Sequence, residues 1–167
     1  MKDTFTDGLE ISMDNLYKTG AFLTAGDEKK ANTMTISWGT IGYIWRRPIF
    51  MALVRETRYT KEFLDSGESY TVSVPYDGTM KEELAICGTK SGRDIDKEKE
   101  GNIKFIPGKK VKTPIVDGCN KYYECKIMFK QSMDFDTLDE EIKQKFYGVG
   151  ESKHVLYFGE IVEDYTK

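Results

Sequence analysis

Short runs of β-branched and aromatic residues, bounded by Gly, Asp or Pro, recur through the first half of the chain. They predict strands at Gly20–Ala25, Asn32–Ile44, Ile49–Val54 and Tyr70–Val74. In the second of these, Met34, Ile36 and Trp38 alternate with Thr33, Thr35 and Ser37, so one face is apolar and the other carries a row of hydroxyls. Two later strands are expected at Lys121–Lys130 and His154–Glu163. Thr79-x-x-Glu82 and Thr137-x-x-Glu140 have capping-box spacing and predict two helix starts, and a third short helix is expected from Thr60 through Asp65, stopped by Ser66-Gly67. After Thr137, Leu138, Ile142 and Phe146 recur every four residues, a stripe expected to pack into the core. A basic, loop-rich stretch runs from Lys90 to Val116. Strands dominate and helices decorate, which predicts a mainly β fold: a small antiparallel barrel with short peripheral helices.

The 167 residues are enough for one domain, expected to span 1–167. There is no internal repeat, and the four prolines, Pro48, Pro75, Pro107 and Pro114, are scattered as punctuation rather than gathered in a linker. Cys87, Cys119 and Cys125 are odd in number and form no C-x-x-C pair, which argues against a disulfide framework or a zinc finger and for a reducing, cytoplasmic setting. Cys87, just before Gly88, reads as a buried residue at a helix end with the glycine as its cap. No apolar run reaches the length of a membrane helix, and Asp3, Asp7 and Glu10 stand where a signal peptide would be basic and then apolar. The expectation is a protein with no membrane association.

A net charge of −3 gives no general attraction to nucleic acid. The distribution is more informative than the total. Residues 43–61 hold Arg46, Arg47, Arg55, Arg58 and Lys61 against Glu56, and residues 89–112 hold eight Lys and Arg against four Asp and Glu, so the rest of the chain is strongly acidic. Either these two distant segments build one anionic-ligand site, or they are solvated surface charge.

Several familiar sites are excluded by inspection. No phosphate-binding loop, dinucleotide fingerprint, zinc-protease helix or nucleophile elbow occurs, and with His154 as the only histidine a multi-histidine metal centre is impossible. Asp139-Glu140-Glu141 sits in the first turn of an expected helix, where acidic residues favour the dipole. The strand around Thr33, Thr35 and Ser37, flanked by Trp38 and Gly39, suits a planar heterocycle that needs hydrogen bonds at its edge and apolar contact on its face; a half-solvated edge strand would look the same.

Five pieces of sequence, in order, carry a resemblance. They are Gly20-Ala21-Phe22-Leu23-Thr24, Asn32 through Gly39, Val54-Arg55-Glu56-Thr57-Arg58-Tyr59-Thr60, Cys87-Gly88-x-Lys90-Ser91-Gly92-Arg93-Asp94, and His154-x-x-x-x-Gly159-x-Ile161-Val162. Together, from about residue 16 to residue 163, the chain resembles the flavin reductase-like family, flavoredoxins among them, whose members bind FMN on an antiparallel, Greek-key split β-barrel.

The resemblance implies roles for particular residues. Asn32, Thr33, Thr35, Ser37 and Trp38 would line the isoalloxazine and ribityl chain, with Met34 and Ile36 facing the core. Arg55, Thr57, Arg58 and Thr60, with the helix start that follows, would hold the ribityl and phosphate groups. Lys90, Ser91 and Arg93 would complete the anionic end from the second basic segment. His154 resembles a histidine that lies near flavin and substrate, where it would donate to a reduced flavin or orient a nicotinamide. Tyr43, Trp45, Tyr157 and Phe158 would cover the flavin, fill the barrel or form a subunit contact. The implied activity is an FMN-dependent oxidoreductase with NAD(P)H as co-substrate or a redox protein as partner, working as a homodimer. A non-enzymatic module holding a flavin, haem or nucleotide on the same barrel is the alternative, and a structural partner subunit a third.

Overall fold

The computed structural model describes residues 4–167; Met1, Lys2 and Asp3, part of the acidic amino terminus, lie outside the described residues. Helix α1 (Leu9–Lys18) precedes strands β1 (Ala21–Gly26), β2 (Ala31–Ile36), β3 (Gly39–Ile44) and β4 (Arg47–Arg55). Helix α2 (Tyr59–Ser66), β5 (Ser69–Val74), α3 (Lys81–Thr89) and α4 (Lys97–Glu100) follow. The small hairpin β6 (Phe105–Ile106) and β7 (Ile115–Val116) leads to β8 (Lys121–Ser132), α5 (Glu140–Phe146) and β9 (His154–Thr166). Seven strands form one antiparallel sheet in the order β2-β1-β5-β8-β9-β4-β3. Among the described residues no helix is long and apolar enough to cross a membrane.

The expected strand 32–44 is two strands. β2 ends its pairing with β1 at Ile36 opposite Ala21, and β3 begins pairing with β4 at Gly39 opposite Ala52. Ser37 and Trp38 therefore join the two outer strands of the sheet, and the Leu53 amide donates to the Trp38 carbonyl at 3.4 Å across the junction. This covalent link between sheet edges curls the sheet into the split barrel. Register shifts in the long strand β8, at Glu124/Cys125 and Ile127/Phe129, add the local bend that closure needs.

The interior is filled by Leu23, Phe50, Tyr70, Val72, Tyr123 and Tyr157, all fully or almost fully buried. The Tyr70 hydroxyl crosses from β5 to donate to the Phe50 carbonyl of β4. That crossing requires Gly159 on β9, because a Cβ there would lie 2.6 Å from the Tyr70 hydroxyl and 2.7 Å from Cys125 Cβ. A second cluster, Phe22, Leu84, Cys87, Ile115, Val116 and Tyr122, lies on the other side of the sheet. Met34 and Ile36 face the first cluster, as expected.

Other expectations need correction. Neither capping box forms: Thr79 and Thr137 donate back to the Tyr76 and Asp134 carbonyls, α3 starts after Met80, and Asp139 caps α5 by accepting from the Glu141 and Ile142 amides. The α5 stripe is not core, since no residue of that helix is buried and Ile142 is exposed. Cys87 is buried as expected, but Gly88 lies inside α3 rather than capping it. Its missing side chain serves packing, because a Cβ would come within 3.2 Å of Thr35 Cβ.

Candidate functional site

Four segments meet on one side of the barrel: β2, the turn from Arg55 to Thr60 that enters α2, the segment 89–97 after α3, and the first residue of β9. Between them lie two adjoining cavities of about 190 and 280 Å3, both lined by Met34, Arg55 and Arg58. The smaller also takes in Thr35, Ser37, Trp38 and His154. The larger takes in Asn32, Thr57, Thr60, Lys90, Ser91 and Arg93. Of the residues assigned from the sequence to the cofactor or to catalysis, all except Thr33 line this groove, whereas Tyr43, Trp45, Tyr157 and Phe158 do not. The Thr33 side chain is buried, accepting from the Thr24 hydroxyl at 3.0 Å and donating to the Leu23 carbonyl at 3.1 Å. The Thr35 hydroxyl is also engaged, with the Leu84 carbonyl of α3 at 2.6 Å, so two of the three hydroxyls in the row serve packing, one against β1 and one against α3.

The cations of the groove are held in different ways. Arg55 is fixed by the Ser152 and Phe146 carbonyls and pairs with Glu151 at 3.1 Å. Arg93 pairs with Glu62 and lies over the Tyr59 ring. Arg58 donates to the Gly88 carbonyl at 2.8 Å and has no carboxylate partner among the described residues. Burial, and secondarily Arg55, lower its pKa. Lys97, which sequence reasoning missed, is buried at the groove floor, with its ammonium on the Thr33 and Cys87 carbonyls at 2.7 and 3.0 Å. It too lacks a carboxylate among the described residues, and burial lowers its pKa. Two partly desolvated cations without counter-ions favour an incoming anion strongly. No side chain caps the N-terminus of α2, whose first residues Tyr59 and Thr60 line the same cavity and add the helix dipole.

The basic segments thus converge in part. Arg47 instead pairs with Glu160 beside the β3–β4 turn, and Lys109 lies over the Tyr165 ring, away from the groove. Within the groove, Asn32 donates to the Thr60 hydroxyl at 2.8 Å, and Gly92 packs so tightly there that a Cβ would come within 2.1 Å of Asn32 Oδ1.

The opposite end of the groove is aromatic. Trp38 lies edge-on to Phe146 at 5.0 Å and beside His154 at 5.3 Å between ring centroids. The exposed-looking stripe of α5 thus contributes Phe146 to this end. His154, only 7% exposed, has Nδ1 2.6 Å from the Tyr147 hydroxyl. Burial, followed by Arg55 and Arg58, pushes its pKa down to about 4, so the ring is neutral at physiological pH. Burial raises the Tyr147 pKa, so this hydroxyl keeps its proton; with it donating to Nδ1, Nε2 carries the ring proton as a neutral donor.

Comparisons with known proteins identify the family and the fold. Residues 13–166 match the family described as the flavin reductase like domain. The chain is 24% identical over 145 residues to an uncharacterized protein of Archaeoglobus fulgidus, covering 87% of this chain and 76% of that one. Its fold is similar to flavoredoxin from Methanosarcina acetivorans, at TM-score 0.67 and 25% identity, over 89% of this chain and 68% of that one. It is also similar, at TM-score 0.66 and 21% identity, to an FMN-binding protein from Thermus thermophilus, over 89% and 70% of the two chains.

Proposed function

Because the chain belongs to the flavin reductase-like domain family, we propose that it is an FMN-binding oxidoreductase of flavin reductase or flavoredoxin type, accepting hydride or electrons from NAD(P)H and passing them on. The observation that carries this reading is the convergence of two sequence-distant cationic segments on one groove whose other end is aromatic. The residues present fit the group. Arg58, Lys90 and Lys97, with the uncapped start of α2, would hold the phosphate, and Arg93 would join by exchanging Glu62. Asn32, Thr57 and Thr60 would meet the ribityl hydroxyls, and Ser37, Trp38 and Met34 would border the ring system.

When bound, FMN supplies the hydride and one-electron chemistry. The protein's part is to bind, orient and control access. Trp38, itself exposed, packs edge-on against Phe146, and with a flavin bound the pair would shield the aromatic end from water. His154, held by Tyr147, offers an uncharged N–H donor that does not vary between pH 6 and 8, and so orients a bound partner without exchanging protons over that range. A strong acid or nucleophile is not needed, in keeping with the residues present.

A homodimer is part of the proposal. Trp45, Phe129 and Phe158 form an exposed aromatic cluster with centroids 5.6–6.1 Å apart. Trp45 is presented by a two-residue turn in which it and Arg46 both adopt positive φ, 54° and 57°. Three free, buried cysteines support a reducing, cytoplasmic setting.

The test is to extract and identify the chromophore that co-purifies, then mix protein, FMN and each nicotinamide anaerobically. Flavin bleaching supports the oxidoreductase; tight binding without reduction by either nicotinamide leaves a protein-fed carrier; a colourless protein that does not quench added FMN overturns the proposal.

A further inference from the structure

A cavity of about 790 Å3 opens where the β1–β2 turn, the end of α2 and the loop 110–112 meet. Its volume lies within the ~300–1,000 Å3 of small-molecule sites. Lys29 and Lys30 line it from the turn, Lys110 and Lys112 from the loop and Lys126 from β8, with the carboxylates of Asp27 and Glu68 among them. Five lysines against two carboxylates leave an excess of three positive charges. All five lysines are exposed, and none forms an ion pair among the described residues, whereas Lys18, Lys61 and Lys121 each take a carboxylate.

The carboxylates around these lysines hold other groups. Asp27 Oδ1 accepts from the Lys29 and Lys30 amides at 2.8 and 3.1 Å. The Lys30 and Lys29 amides lower the Asp27 pKa, and Lys112, from the other segment, contributes to the same shift. The buried Glu124 takes the Lys109, Lys110 and Val111 amides, and Glu160, opposite Lys126 in the register, is taken by Arg47. Thr113 ties loop to turn by donating to the Gly26 carbonyl at 2.8 Å. Gly26, at φ 109°, permits the turn, since a Cβ there would lie 2.2 Å from the Lys30 carbonyl oxygen. The backbone is thus fixed while the ammonium groups stay uncompensated, an arrangement that attracts a polyanion. Half-buried Phe63, Val111 and Val162 supply an apolar floor, with the Lys30 ammonium 5.7 Å from the centre of the Phe63 ring.

Position separates this cavity from the reacting end of the groove. Lys30 precedes β2 and Trp38 follows it, so at ~3.3 Å per residue the two lie ~26 Å apart along the strand. An occupant here would not touch a ring system held beside Trp38, which excludes electron donor and acceptor alike. The concave shape and apolar floor favour a small molecule over a flat protein surface.

We propose that this cavity is an accessory binding site for a small amphipathic polyanion, an apolar body carrying three or more negative charges. The proposal does not depend on the flavin reading of the groove.

The experiment is calorimetric titration of the protein, in the presence of saturating FMN, with pyrene-1,3,6,8-tetrasulfonate, a flat apolar body bearing four charges. One probe is expected per chain. Its Kd should rise at least ~tenfold in Lys30→Gln combined with Lys112→Gln and stay unchanged in Arg58→Gln. Pyrophosphate, which has charge but no apolar body, should bind at least ~tenfold more weakly than the probe. No binding, displacement by FMN, or loss in Arg58→Gln with retention in the lysine variant overturns the proposal and leaves the flavin reading standing. Pyrophosphate binding as tightly as the probe overturns the amphipathic ligand, and an oligoglutamate peptide binding more tightly than the probe overturns it in favour of an acidic protein partner. Should the lysine variant fail to fold, amide shifts of the parent protein decide: changes at Lys110–Lys112 and Val162 support the site, and changes at Thr57–Thr60 in their place overturn it.

Discussion

Acidifying the protein from pH 7.5 to pH 4 forces a proton onto His154, and the structure sets what that costs. In an unfolded chain this imidazole titrates near 6.5; in the folded state burial and the two guanidinium groups of Arg55 and Arg58 hold it down to about 4. The sign follows directly. Between these values the unfolded chain binds a proton that the folded protein does not, so stability is fully present above pH 6.5 and is lost as pH falls toward 4. At 1.36 kcal/mol per pKa unit, the loss attributable to this one group reaches about 3 kcal/mol by pH 4. Carboxylates also titrate in this range, so the comparison is with His154→Gln, which keeps them and removes the imidazole. Urea unfolding across the pH series should give a parent-minus-variant stability difference that shrinks by about 3 kcal/mol from pH 7.5 to 4. Because His154 is the only histidine, its ring proton resonance can be followed alone by NMR and should titrate with a midpoint about 4. A difference that stays flat with pH, or a midpoint near 6.5, refutes the buried neutral imidazole and the role given to it.

Three further outcomes are expected. Arg58→Gln removes a cation that has no carboxylate partner among the described residues; a charged hydrogen bond of about 1.5–3 kcal/mol implies a roughly ten- to hundredfold weaker FMN Kd, with riboflavin much less affected, and equal losses for both ligands would remove Arg58 from the phosphate site. Glu124 is fully buried and accepts from the Lys109, Lys110 and Val111 amides at 2.6, 2.7 and 3.0 Å and from the Tyr165 hydroxyl, so Glu124→Ala should cost about 3 kcal/mol or more and expose those three amides to hydrogen exchange; unchanged protection there would contradict the clamp. Trp45→Glu places a charge in the exposed aromatic cluster and should convert a dimer to a monomer in light scattering, whereas a monomeric parent protein would remove the dimer from the proposal.

What could be read from the sequence follows the range of the forces involved. Strands such as β1, β5 and β9 are specified by local side-chain pattern, and their positions were legible within a few residues. So was α2, which stops at the expected Ser66-Gly67. Helix α1 left a signal that was not used: Leu9, Met13 and Leu16 recur on one face, and Leu16 is buried. The break at Ser37–Trp38 was not legible, because it depends on β3 finding β4 as its partner across the barrel, a non-local event with no local turn residue except Gly39. Thr33 looked like a ligand contact because alternation fixes parity but not what covers each face; Thr24 and the backbone of β1 take up its hydroxyl. Lys97 was hidden in a run of alternating charges within a stretch that reads as loop-rich, solvated surface, and only the tertiary fold buries its ammonium. The groove itself was legible because its residues cluster in a few short segments, and charge asymmetry between segments survives folding.

The most direct test of the central claim, that the two cationic segments close on one flavin phosphate, is an amide chemical-shift map of isotope-labelled protein titrated with FMN. The largest changes are expected at Thr57–Thr60, Lys90–Arg93 and Lys97, with a second set at Ser37, Trp38 and His154. Changes confined to other lysine-rich surface, such as Lys110, Lys112 and Lys126, with the Arg58 and Lys90 segments unmoved, would contradict it.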